Sequence, residues 1–128
     1  MRIYLAARYS RHPEMFEYAQ TIERETHHKV VASWITGAHE DKSKSREFYA
    51  IEDAKEVAEC GLLISFTEEP GSRKGRGRGG RHVEFGMAVA LRKNVWVIGP
   101  RENVFHELPE VLRFSTFDDA LMLLRDVP

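Results

Sequence analysis

Residues 82–99 read HVEFGMAVALRKNVWVIG, which joins a helical pattern to a strand pattern within one short stretch. Small and apolar residues at helical spacing predict a helix over about 83–91. The run 95–98 is apolar on both faces and predicts a buried strand that ends at the Gly99-Pro100 pair. Strands without polar alternation are typical of a parallel sheet covered on both sides.

The rest of the chain repeats this alternation of strands and helices. The first helix is predicted to follow an N-cap at Ser10, with Pro13 in its first turn. The predicted strands cover residues 3–7, 30–34, 62–66, 95–98 and 112–114, and the later helices cover 48–58, 83–91 and 117–124. The pattern predicts one α/β domain over residues 1–128, a three-layer doubly wound, flavodoxin-like fold whose five-stranded parallel sheet has the order 2-1-3-4-5.

This strand order locates a candidate ligand site before any motif is considered. Ligands of such sheets bind beyond the carboxyl ends of the strands, where the strand order reverses. Here that point combines the end of the first strand, residues 6–11, with the loop after the third strand, residues 67–81. The helix that carries Glu84 opens at the same rim.

Glu84 is a single acid on a helix face that is otherwise apolar, because Met87 and Ala88 follow it three and four residues later. We expect it in the first helical turn, where the helix dipole favours negative charge. A fixed, partly dehydrated carboxylate suits a nucleophile or a ligand-binding acid. Asp53 has apolar helical neighbours too, and if the two acids converge they form a pair of the kind used in glycosyl chemistry.

The loop between 71 and 81 is rich in glycine and arginine, and two interpretations of it stay open. It is either a mobile surface loop or a lid that binds phosphate through backbone N–H groups and arginines. Its G-x-G-x-x-G match, Gly75, Gly77 and Gly80, lies outside the first βα turn, where a dinucleotide fingerprint belongs. With 19 basic and 20 acidic residues and a net charge of −1, the chain is predicted to bind a small anion rather than nucleic acid.

Several other classes of protein are disfavoured by composition. Cys60 is the only cysteine, and the six histidines lack ligand spacing, so we expect neither a disulfide nor a metal site. No apolar run approaches the ~18 residues of a membrane span, and the first residues do not resemble a signal peptide. We therefore expect a cytoplasmic protein without a cofactor or membrane partner.

Three motifs stand in register along the chain: IYLAA with Tyr4, IEDAKEVAECGLLISFTE with Asp53, and HVEFGMAVA with Glu84. Together they resemble the nucleoside 2-deoxyribosyltransferase superfamily, which includes 2′-deoxynucleoside 5′-monophosphate N-glycosidases and CMP hydrolases. The resemblance implies that Glu84 attacks C1′ of the sugar and that Tyr4 orients it. Asp53 would bind sugar hydroxyls or assist departure of the base.

The resemblance also implies a phosphate site and a subunit interface. Phosphate would be bound by residues at the end of the first strand and in the Gly/Arg loop: Arg8, Ser10, Arg11, Ser72, Arg78, Gly80 and Arg81. Asn103 or His106 of GPRENVFH would join the site of this subunit or of a neighbouring one. Because sites in this family are commonly completed across a dimer interface, we expect a homo-oligomer, a dimer or larger.

The hypothesis from sequence is therefore an enzyme, a hydrolase or transferase, acting on the N-glycosidic bond of a (2′-deoxy)nucleoside 5′-monophosphate or nucleoside. A covalent glycosyl-Glu84 intermediate would form. Transferases of the family carry an aspartate shortly before this glutamate, whereas residues 76–81 contain no acid. The choice between hydrolysis and transfer therefore stays open, and so does the identity of the base. The alternative is a non-catalytic nucleotide-binding module of the same fold.

Overall fold

The central strands consist almost entirely of apolar residues that are buried on both faces of the sheet. The computed structural model describes residues 1–71 and 79–128. Its strands are β1 (Arg2–Ala6), β2 (Lys29–Val30), β3 (Leu62–Phe66), β4 (Asn94–Ile98) and β5 (Leu112–Phe114). All neighbouring strands are parallel, and their order β2-β1-β3-β4-β5 confirms the predicted topology.

The helices form two layers around this sheet. Within the described residues they are α1 (His12–Glu25), α2 (Arg46–Glu59), α3 (Gly80–Ala90) and α4 (Phe117–Asp126). α2 packs beside α3, and α1 packs beside α4, as expected for a doubly wound fold with one helical layer on each face. None of the described helices combines the length and hydrophobicity needed to cross a bilayer.

The second strand is shorter than predicted. It ends at Val30, and the chain turns into a 3-10 segment, Ser33–Thr36, instead of remaining extended to residue 34. The indole Nε1 of Trp34 donates to the carbonyl oxygen of Leu5 over 2.8 Å, which draws the buried ring towards β1. The backbone N–H of Ser33 donates to the carboxylate of Glu56 on α2. Tertiary partners thus replace strand hydrogen bonds here.

The start of α1 also differs from the prediction. Its N-cap position is Arg11, and no side chain caps it, whereas Ser10 lies inside a preceding 3-10 turn, Tyr9–Arg11. Pro13 is in the first turn, as predicted. The later helices α2 and α4 are capped by Ser45 and Thr116, whose side chains accept backbone N–H bonds. Local hydrogen-bonding residues therefore fix two of these helix starts, and packing fixes that of α1.

Gly99 closes β4 at a point of tight contact with the end of β3. Its φ of +110° lies in a region that side chains rarely adopt, and a Cβ added there would lie 2.5 Å from Thr67 Oγ1. Its N–H donates to the carbonyl oxygen of Phe114 over 2.9 Å, so the backbone is held on both sides. This glycine allows β3, β4 and β5 to end together at the rim of the sheet.

We predict that Gly99→Ala lowers the free energy of unfolding by about 2 kcal/mol or more, because strain and steric overlap add. Gly37→Ala is the matched control. Gly37 also has a positive φ, +81°, but a Cβ there meets its nearest atom at 3.4 Å. Gly37→Ala should lower the free energy of unfolding by about 1 kcal/mol, from backbone strain alone. Urea denaturation measures both, and equal losses would contradict the contact with Thr67.

Candidate active site

A cleft of about 470 Å³ opens at the carboxyl end of β1, between that strand and helices α2 and α3. This is the location that the strand order predicts. It is lined by Ala7, Arg8, Tyr9, Ser10, Trp34, His39, Asp53, Gly79, Gly80, Arg81 and Glu84. Its walls therefore combine aromatic rings, two arginines and two carboxylates.

Tyr4 and Glu84 meet at the floor of this cleft. Tyr4 is fully buried in β1, and its hydroxyl donates a hydrogen bond to Oε2 of Glu84. The predicted position of Glu84 in the first turn of the helix was wrong. α3 begins at Gly80, so Glu84 lies in the second turn, and the hydroxyl of Tyr4 rather than a free N–H group holds its carboxylate.

The electrostatic environment of Glu84 strongly favours its neutral form. Burial raises its pKa to about 8, the hydrogen bond from Tyr4 opposes this shift, and the nearby charges of Asp53 and Glu56 reinforce it. Burial and the charge of Glu84 raise the pKa of Tyr4 far above its ordinary value. Tyr4 therefore keeps its proton and acts as a permanent hydrogen-bond donor to the carboxylate.

Asp53 lies on α2 and lines the same cleft as Glu84. Its Oδ2 is 3.3 Å from Nε2 of His39, while its Oδ1 is buried without a hydrogen-bond partner in the described part of the chain. Burial raises the pKa of Asp53, and the adjacent His39 opposes this shift. The structure thus brings Tyr4, Asp53 and Glu84 together around one cleft, although they lie on three different elements.

Three aromatic residues near Asp53 were not among the predicted site residues. Trp34 and Tyr9 line the cleft, and the ring of Tyr9 stacks on that of His39 with centroids 5.6 Å apart. His39 lies on a short 3-10 segment, Ala38–Glu40, within the polar stretch between β2 and α2. No periodicity in that stretch singles out His39. Only the contact of this segment with α2 shows that His39 belongs to the cleft.

Glu56 is a further acid close to the site that the sequence analysis missed. It follows Asp53 by three residues and so shares a face of α2, a spacing that could have signalled it. Its carboxylate accepts hydrogen bonds from the N–H and hydroxyl of Ser33. Burial raises the pKa of Glu56 despite these bonds. It holds the turn that carries Trp34 and adds negative charge near Glu84.

The two arginines predicted at the end of the first strand have different positions. Arg8 lines the cleft and donates from Nη1 to Glu68 over 3.3 Å, while its buried Nε has no partner within residues 1–71 and 79–128. Arg11 does not line the cleft. Its guanidinium donates to both oxygens of Glu14, at 2.8 and 2.9 Å, and to Glu68 at 2.7 Å. Of these two arginines, only Arg8 therefore lines the cleft.

Arg81 is buried at the opposite wall and is already paired. Its two terminal nitrogens donate to the two oxygens of Glu102, each over 2.9 Å. Glu102 Oε1 also accepts the backbone N–H of Glu68 over 3.1 Å. This bidentate pair joins the first turn of α3 to the loops after β3 and β4. Arg81 thus shapes the rim, although its charge is largely compensated.

The remaining predicted residues divide between the cleft and other regions. Ser10 and Gly80 line the cleft. Asn103 lies instead beside an apolar groove of about 610 Å³ on another face of α3, where its side chain accepts the N–H of Phe105. His106 is buried and accepts the N–H of Glu102. Ser72, Arg78 and most of the Gly/Arg loop lie outside the described residues. Both interpretations of that loop therefore stay open.

The apolar groove is the larger of the two, but it contains no carboxylate among its lining residues. We therefore place the candidate site in the cleft with Glu84. In the described ranges, no three His, Cys, Asp or Glu side chains are arranged to hold a metal ion. The chemistry available to the described residues is that of carboxylates, a histidine, a tyrosine hydroxyl and an arginine.

Comparison with known proteins adds a structural relationship. No protein-family model matches the sequence, and no curated protein matches it either. Among solved structures, the chain is similar to the CMP N-glycosidase BcmB of Clostridium botulinum, with a TM-score of 0.63 and 21% sequence identity. The match covers 99% of this chain and 100% of that one, so the two share the same fold along their whole length.

Proposed function

We propose that this protein cleaves the N-glycosidic bond of a nucleoside 5′-monophosphate or nucleoside, as a hydrolase or transferase, through a glycosyl-Glu84 intermediate. One observation carries the proposal: the carboxylate of Glu84 accepts a hydrogen bond from the Tyr4 hydroxyl in a cleft that Asp53 also lines. The shared fold with a CMP N-glycosidase supports the same class of substrate.

The proposed reaction uses each group at a defined atom. One oxygen of Glu84 accepts the bond from Tyr4, and the ionised carboxylate forms an ester bond to C1′ with its other oxygen. The C1′–N bond breaks, and its electron pair leaves with the base. Asp53 binds sugar hydroxyls or assists departure of the base. Water, or a second base in a transfer reaction, then attacks C1′ and releases Glu84.

The cleft also contains donors for an anionic group of the substrate. Arg8, Ser10 and the N-terminus of α3 at Gly79 and Gly80 all border it. A helix N-terminus offers unpaired N–H groups to a phosphate. The volume of about 470 Å³ lies within the range of about 300–1,000 Å³ that is typical of ligand pockets. We therefore favour a 5′-monophosphate over a nucleoside.

Glu84→Gln should lower base release by about 1,000-fold or more, because an amide cannot form the glycosyl ester. The assay incubates the protein with the common nucleosides and their 5′-monophosphates and measures free base by chromatography. Glu17→Gln, at an exposed position on α1, is the control and should retain activity. Base release by Glu84→Gln at the wild-type rate would exclude this mechanism.

The pH dependence should report the ionisation of Glu84. Because the nucleophile must be ionised and its pKa is raised to about 8, kcat/KM should rise with pH and level off above about 8. A nitrophenyl glycoside isolates this step, since nitrophenolate leaves without a proton. Tyr4→Phe removes a hydrogen bond that lowers the pKa of Glu84, so it should move the midpoint to higher pH.

The matched control for this measurement is Tyr18→Phe. Tyr18 also donates to a glutamate, Glu14, but the two do not line the cleft. Its removal should leave the midpoint unchanged. A midpoint that moves to lower pH in Tyr4→Phe would contradict the proposed role of the Tyr4 hydroxyl.

A non-catalytic nucleotide-binding module is the second candidate. The observation that favours it is the raised pKa of Glu84, since a carboxyl that is mostly protonated at neutral pH is a weak nucleophile. Calorimetry with the same panel of nucleotides distinguishes the two functions. Tight binding without any free base would support the module, whereas base release that depends on Glu84 would support the enzyme.

A further inference from the structure

Three buried polar atoms without hydrogen-bond partners in the described residues belong to neighbouring side chains of the cleft. They are the hydroxyl of Tyr9, Nε2 of His39 and Oδ1 of Asp53. Buried polar atoms in native proteins are nearly always paired. These atoms therefore mark the side of the cleft where polar groups are not fully satisfied within the described residues.

The ring of His39 is held firmly in position. It stacks on Tyr9 at 5.6 Å with an interplanar angle of 15°, and Tyr49 packs against it at 4.5 Å. Its Nε2 lies 3.3 Å from Asp53 Oδ2, and its side chain is 28% exposed. The imidazole is thus fixed beside a carboxylate through Nε2, while the rest of its partly exposed ring lines the cleft. This arrangement is typical of a histidine that transfers a proton during a reaction.

We propose that His39, paired with Asp53, is the general acid that protonates the departing base; this inference rests on the function proposed above. Oδ2 of Asp53 lies 3.3 Å from Nε2 of His39 and fixes the orientation of the ring. Tyr9 and Tyr49 keep the ring in position. The role complements that of Glu84, which is held on a different helix of the cleft.

The proton and the electron pairs balance across the two steps. As Glu84 bonds to C1′, the C1′–N electron pair passes to the base. Nε2 of His39 faces Asp53, so the proton of the other ring nitrogen, Nδ1, passes to a ring nitrogen or carbonyl oxygen of that base. His39 is then neutral. When water attacks C1′ in the second step, His39 accepts the proton of that water, and the ester bond to Glu84 breaks. Both residues return to their starting states.

The test compares two leaving groups on the same sugar. One substrate is the nucleoside or 5′-monophosphate with the highest rate in the panel, and the other is the corresponding nitrophenyl glycoside. His39→Gln should lower kcat/KM on the natural substrate by about 100- to 10,000-fold, the usual contribution of a general acid. It should change kcat/KM for nitrophenolate release by less than about threefold, because that group departs without a proton and kcat/KM does not include the later attack by water.

A second variant and a control separate chemistry from structure. His39→Phe keeps an aromatic ring against Tyr9 and should show the same difference between the two substrates. His12→Gln is the matched control, because the ring of His12 also packs on Tyr9, at 5.1 Å, but does not line the cleft. It should leave both rates unchanged.

The possible outcomes distinguish the inference from the function on which it rests. If both His39 variants lose the same factor on the two substrates, or lose nothing on the natural one, His39 is not the acid. In either case, if both rates still depend on Glu84, the proposed function stands. If the wild-type protein releases neither base nor nitrophenolate, the proposed function fails and the role of His39 fails with it.

Discussion

The hydrogen bond from Tyr4 to Glu84 connects a central strand of the sheet, β1, to the helix at the rim of the cleft. A phenol that is 0% exposed needs a partner for its hydroxyl, and a partly buried carboxylate needs a donor. Each therefore satisfies the other. Because β1 and α3 are both fixed by packing, the carboxylate has one position, which is the condition for attack on a particular atom.

The charges around this bond are arranged in two groups. Acids from α2 and α3 surround the floor of the cleft, and burial raises the pKa of Asp53, Glu56 and Glu84. At the rim, by contrast, Arg8 and Arg81 are paired with Glu68 and Glu102. The described part of the cleft consequently has little excess positive charge.

Much of the architecture could be predicted because it follows from local patterns of apolar and polar residues. Apolar runs and helical spacing predict the sheet order, and the position of Glu84 on an apolar face indicates its burial. Two of the errors have a common cause. β2 ends early where Trp34 bonds to Leu5, and Arg11 is bound by Glu14 and Glu68 rather than facing the cleft. In both cases a polar side chain finds a partner elsewhere in the fold.

The sequence by itself determined the alternation of strands and helices, the order of the sheet, and the edge at which the candidate cleft lies. It also singled out Glu84 and Asp53, because an acid among apolar helical neighbours is costly unless it has a role. Only the tertiary structure decided which groups surround them. It places His39 beside Asp53 and Glu56 near Glu84, and it pairs the arginines of the cleft with glutamates. Hydrogen bonds and ion pairs act over a few ångströms in space, whereas these partners mostly lie many residues apart along the chain.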